Sequence, residues 1–66
     1  MSRYEITVDG VVGPALLSSL EGFDATTVAG RTRLVGEVVD QAALHGIFQR
    51  LESRHVDIVE VHRVEA

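Results

Sequence analysis

The groups in this chain best suited to proton transfer or metal binding are three histidines and ten carboxylates; cysteine is absent and so is lysine. Glu60 and His62 stand two residues apart, a spacing that puts both side chains on one face of a strand, where they could begin a metal site. A closed site takes about four ligands, or three plus water. Spacing supplies no third here, since His55 stands near the start of that strand on no defined face. His45 lies one turn from both Gln41 and Gln49 on a face expected to be solvated. No base, nucleophile or ligand partner is placed beside it. Asp40 precedes a helical pattern and reads as an N-cap, which by itself explains an aspartate there. Gly10-Val-Val-Gly13-Pro14 opens a helix as phosphate cradles do, but it matches neither nucleotide-loop spacing. Arg31 and Arg33 form a basic strip with Arg3. Glu5, Glu37 and Glu60 are expected beside them, so internal neutralisation, or ion pairs across a dimer, is the better expectation than a phosphate patch. These residues specify no reaction. The expectation is a protein that is not an enzyme and needs no metal or other cofactor.

The elements that position these residues form one domain, because 66 residues leave no room for a second core. A chain this small buries only about 60% of its unfolded surface, and without cysteine no disulfide can supplement the core. Association is the remaining source of stability, so a homo-oligomer, most simply a dimer, is expected. The formal net charge is −4 and all six basic residues are arginine, a balance unsuited to nucleic acid. Apolar content of 45% against 24% charged argues for a folded chain. MSRYEITVDG has no apolar leader core, and no apolar run approaches a membrane span. A soluble cytoplasmic protein is expected, with no membrane partner.

Residues 3–9 alternate, with Tyr4, Ile6 and Val8 on one face, as in a half-buried strand. Gly10 and Gly13 bracket a turn, and a short helix is predicted from Pro14 to Glu21 on Leu16, Leu17 and Leu20, with Gly22 beyond its end. Phe23–Val28 and Arg31–Val39 flank Ala29-Gly30 as a hairpin. A two-residue loop pairs Val28 with Arg31 and, outward, Phe23 with Gly36; a bulge or a three-residue loop is the alternative. One face then holds Phe23, Ala25, Thr27, Thr32, Leu34 and Gly36, expected to be the core side. The other holds Asp24, Thr26, Val28, Arg31, Arg33, Val35 and Glu37. After Asp40, the helix Gln41–Arg54 carries Leu44, Ile47, Phe48 and Leu51 as its apolar stripe. Gly46 costs a mid-helix position about 1 kcal/mol relative to alanine. With Ala42 and Ala43 it makes a small-residue patch that another helix could approach. The last strand, Val56–Val64, carries valines on both sides, so either a bulge switches faces or the outer side is covered too. The face of Val59 and Val61 is taken as core.

This β-α-β-β-α-β order with short connections is that of a ferredoxin-like α+β sandwich: an antiparallel sheet of order 4-1-3-2 with both helices on one face. The stretch Leu34 to Gly46, L-x-G-x-V-x-D-Q-A-A-L-H-G, resembles a group of short uncharacterised actinobacterial proteins. That resemblance extends to the opening Tyr4-Glu5-Ile6-x-Val8 and the closing Val59-Glu60-Val61-x-x-Val64, and implies no known activity. The second half is similar in outline to BON domains, which associate with membranes or lipids. The whole order looks like a shortened ACT domain, which implies amino-acid binding between protomers. The function expected from the residues is a self-associating interaction module, with an ACT-like small-molecule binding domain as the alternative. The candidate surface for association, or for an unidentified protein partner, is His45 and Gly46 on the helix, with Arg31, Arg33, Val35, Ile58, Glu60 and His62 on the sheet.

Overall fold

Alternation along the first strand decides where the layers lie. In the computed structural model, which describes residues 2–20 and 22–64, β1 spans Ser2–Asp9 and buries Tyr4, Ile6 and Val8. It is followed by α1 (Pro14–Ser19), β2 (Phe23–Val28), β3 (Arg31–Val38), α2 (Gln41–Ser53) and β4 (Ile58–Val64). The strands make one sheet of order β2-β3-β1-β4, the expected order read from its other edge, and every pairing is antiparallel. Leu16 and Leu20 from the first crossover and Leu44, Ile47 and Leu51 from α2 join Tyr4, Ile6, Val8, Leu34 and Val38 in one core cluster. Both helices therefore cover the same sheet face.

The hairpin has the expected register, from Phe23 opposite Gly36 to Val28 opposite Arg31. Ala29 and Gly30 both have positive φ, 53° and 77°, the two-residue loop whose twist suits a hairpin. A Cβ built on Gly36 would lie 2.5 Å from the Gly22 carbonyl oxygen and 2.7 Å from Phe23 Cγ, so the phenyl ring packs where a side chain would stand. The expected core face of β2 is only partly realised. Phe23 is half-buried, but Ala25 and Thr27 are exposed. The six-residue α1 is only about 9 Å long and leaves the outer half of that edge strand uncovered. The expected end of this helix at Glu21 falls outside the described residues.

At the other edge the bulge is the alternative that holds. Glu5, Ile6 and Thr7 face His62, Val61 and Glu60, and the register then shifts so that Val8 faces Ile58. Antiparallel partners share a sheet face, so Val61 lies on the helix side but is 39% exposed, and Val59 at the bulge is 45% exposed. Val59 is therefore not the core residue it was expected to be. Ile58 takes that place, packing with Val56 against the cluster, which removes it from the outer surface proposed for it.

Side-chain and backbone bonds fix the connections. The Thr32 hydroxyl, 1% exposed, donates to the Gly10 carbonyl at 2.8 Å and accepts from the Val12 amide at 3.4 Å, holding the first crossover to the sheet. Asp40 caps α2 as expected, its Oδ1 accepting from the Ala43 amide at 2.8 Å. The helix closes with the Val56 amide bonded to the Leu51 carbonyl and the His55 amide to that of Glu52, the two bonds of a Schellman motif. His55 occupies the left-handed position at φ 58°, so it ends the helix.

Because the Cβ of Gly36→Ala has no space, this variant is expected to lose about 1–3 kcal/mol of stability in urea unfolding; wild-type stability would show that the Gly22 carbonyl and the Phe23 ring both move aside freely.

Candidate functional site

The sheet brings five of the eight surface residues onto its uncovered face. Across the strands, Val35, Glu5 and His62 form one row, and Arg33, Thr7 and Glu60 the next. Arg31 faces Asp9 on the row beyond. Period-2 alternation places these side chains: neighbours Thr32, Leu34 and Gly36 point into the core, so Arg31, Arg33 and Val35 point away from it. The resulting surface is a charge checkerboard. Arg33 Nε lies 3.0 Å from Glu5 Oε1, and Arg31 Nε lies 4.0 Å from Asp9 Oδ1. Arg3 faces Glu37. The arginine strip is thus neutralised within the chain, and pairs this exposed contribute at most about 1 kcal/mol each. His62 Nε2 lies 2.9 Å from Glu60 Oε1.

His45 and Gly46 belong to the opposite side of the molecule, on α2, and share no surface with those five. His45 is exposed and meets the Phe48 ring edge-on, with centroids 6.2 Å apart. That contact arises from their i, i+3 spacing on one helix. Gly46 lines a cleft of about 680 Å³ between α2 and the end of α1. Ala42, Ala43 and Gly46 form one wall, Ser18 and Ser19 the other, with Phe23 among the remaining lining residues. Arg50 closes part of it, its Nη1 donating to the Ser19 carbonyl at 3.1 Å. The small-residue patch expected from the sequence therefore borders a real cleft, but beyond the neighbouring helix backbone no atom lies within 4 Å of a Cβ added at Gly46. Within one chain, nothing packs there.

The cleft was not read from the sequence, and the bulged edge was read only as one of two alternatives. The brevity of α1 was the available signal for the first, because two turns cannot cover a four-stranded sheet. Valines on both faces of the last strand were the signal for the second. Among the described residues, no three His, Cys, Asp or Glu side chains are grouped to hold a metal ion, and no helix is long and apolar enough to cross a membrane.

Since the space at Gly46 is open, Gly46→Ala is expected to raise stability by up to about 1 kcal/mol through helix propensity. Thermal melting of a dilute sample checks this, and a lower melting temperature would show that another surface occupies the position.

No curated protein and no solved structure matches the chain. One family model does, over residues 3–62, a span running from β1 into β4 that includes the Leu34–Gly46 stretch on which the resemblance to an uncharacterised group rests. By that match the chain belongs to the family described as Domain of unknown function (DUF8691).

Proposed function

We propose that this domain is a non-enzymatic interaction module that self-associates through its sheet. The observation that carries the reading is the edge at β4. Val59 and Val61 are 45% and 39% exposed there, on the last strand of an open sheet. An open strand edge presents unpaired N–H and C=O groups and is a template for another strand. A 66-residue chain without cysteine also gains more from association than a larger domain does. Pairing of Arg31 and Arg33 with Asp9 and Glu5 supports a protein partner over a nucleic acid, since these guanidinium groups already face carboxylates.

Light scattering over a dilution series tests the reading. A dimer mass at high micromolar concentration that falls on dilution is expected, and a monomer throughout overturns it.

The cleft favours a second reading, a small-molecule binding domain of the ACT type. Its size of about 680 Å³ falls in the range of ligand sites. An amino acid bound there at a hundred times its Kd is expected to stabilise the fold by about 2.7 kcal/mol. A panel of amino acids and nucleotides that leaves the melting temperature unchanged removes this reading.

A further inference from the structure

The sequence of β4 around Val61 is complementary to itself when reversed. Residues Val59 to Arg63 read Val-Glu-Val-His-Arg and are all exposed. Two copies placed antiparallel about Val61 set Val61 opposite Val61. Glu60 then lies opposite His62 of the second copy, and His62 opposite its Glu60. Val59 lies opposite Arg63, so the valine can pack on the arginine's aliphatic stem. Opposed residues of antiparallel strands share a face. The Glu60–His62 contacts therefore form twice on the uncovered sheet face, and the valine contact forms on the helix side.

We infer that β4 is the interface, and that two copies join there in this register into one eight-stranded sheet with an isologous two-fold axis at Val61. The inference rests on the self-association proposed above and specifies its surface and geometry. Three observations select this arrangement. Within one chain, Glu60 and His62 already approach to 2.9 Å, so the carboxylate and imidazole are compatible, and the two-fold repeats the same contact between copies. Sliding by two residues in either direction stacks Glu60 on Glu60 or His62 on His62, and like groups directly opposite are destabilising. Odd shifts place core-side residues opposite outer-face residues. The other edge offers no such match. In β2, Phe-Asp-Ala-Thr-Thr-Val, Asp24 is the single titratable residue, so no self-pairing of that strand opposes an acid to a base.

The bulge limits the paired segment. Beyond Val59 the strand changes face so that Ile58 turns toward the core. The matched segment is therefore the five residues 59–63, short enough that the association should be reversible.

A charge-exchange experiment on the full chain tests the register. Glu60→Arg leaves His62 of the second copy without its acid, and His62→Glu sets two carboxylates against each other. Each variant alone is expected to self-associate about 10-fold more weakly than wild type. Mixed in equal amounts they should associate at least as tightly as wild type, because each then presents the charge that the other lacks. Sedimentation equilibrium reads all three. Glu5 faces His62 on β1, so His62→Glu is also expected to melt lower; circular dichroism establishes that both variants are folded at the working temperature. A wild-type dimer whose variants gain nothing on mixing overturns this interface and leaves self-association standing. A monomeric wild type overturns the reading beneath it.

A covalent readout is independent of charge. The chain has no cysteine, so Val61→Cys introduces a single thiol, and the axis brings the two Cβ atoms to about 5 Å. Mild oxidation is expected to give a disulfide-linked dimer with Val61→Cys, and none with Val28→Cys on the β2 edge. The reverse pattern overturns the proposal.

Discussion

Burial of one face of β1 is the constraint on which the rest of the molecule depends. Ile6 and Val8 have no exposure, and each is flanked by partners on both sides, Leu34 and Val61 for Ile6, Thr32 and Ile58 for Val8. A central strand can bury those residues only beneath a second layer, and the two helices, with Leu20 at the end of the first, supply it through Leu16, Leu20, Leu44, Ile47 and Leu51. That layer is narrow. It covers β1 and β3 fully, but leaves Ala25, Thr27 and Val61 exposed on the two edge strands. The core and the exposed apolar edge thus have a common origin in how little helix the chain contains.

Local patterns made much of this legible. The two-residue loop at Ala29-Gly30 fixed the hairpin register, because a tight turn dictates every pair that follows. Asp40 was recognisable as a cap from its place between two valines and a helical stripe. What alternation could not reveal was coverage. It says which residues share a face, not whether a helix reaches that face, so Ala25 and Thr27 read as core. The bulge was named only as one of two options, since an inserted residue has no composition of its own in a run of valines. The Thr32 hydroxyl was equally hidden. A threonine on a core face looks like a small hydrophobe until the Gly10 carbonyl and Val12 amide are seen beside it.

The candidate surface was legible in part for the same reason. Parity placed Arg31, Arg33, Val35, Glu60 and His62 together, and strand order made them neighbours. Parity failed at Ile58, on the far side of the bulge. His45 and Gly46 stood out in the sequence because each lacks an architectural role, yet they lie across the molecule from the sheet residues. His55 drew attention only as a possible ligand. Its left-handed backbone at the end of α2 gives it a conformational role that histidine tolerates better than a β-branched residue does.

The central position of β1 also sets an order of events during synthesis. β1 pairs with β3 and with β4, and its contact to β4 joins Ile6 to Val61, near opposite ends of the described chain. At translation rates of about 5–20 residues per second, β1 waits several seconds for that neighbour. Its hydrogen-bonding edge is unpaired meanwhile. The β2–β3 hairpin needs no such delay and closes in roughly 1–10 μs once its residues are free. A chain whose first three strands have formed therefore carries β1 as an open edge, with Ile6 beside the position that Val61 later takes, and this is where chaperone capture or misassembly between nascent chains would act.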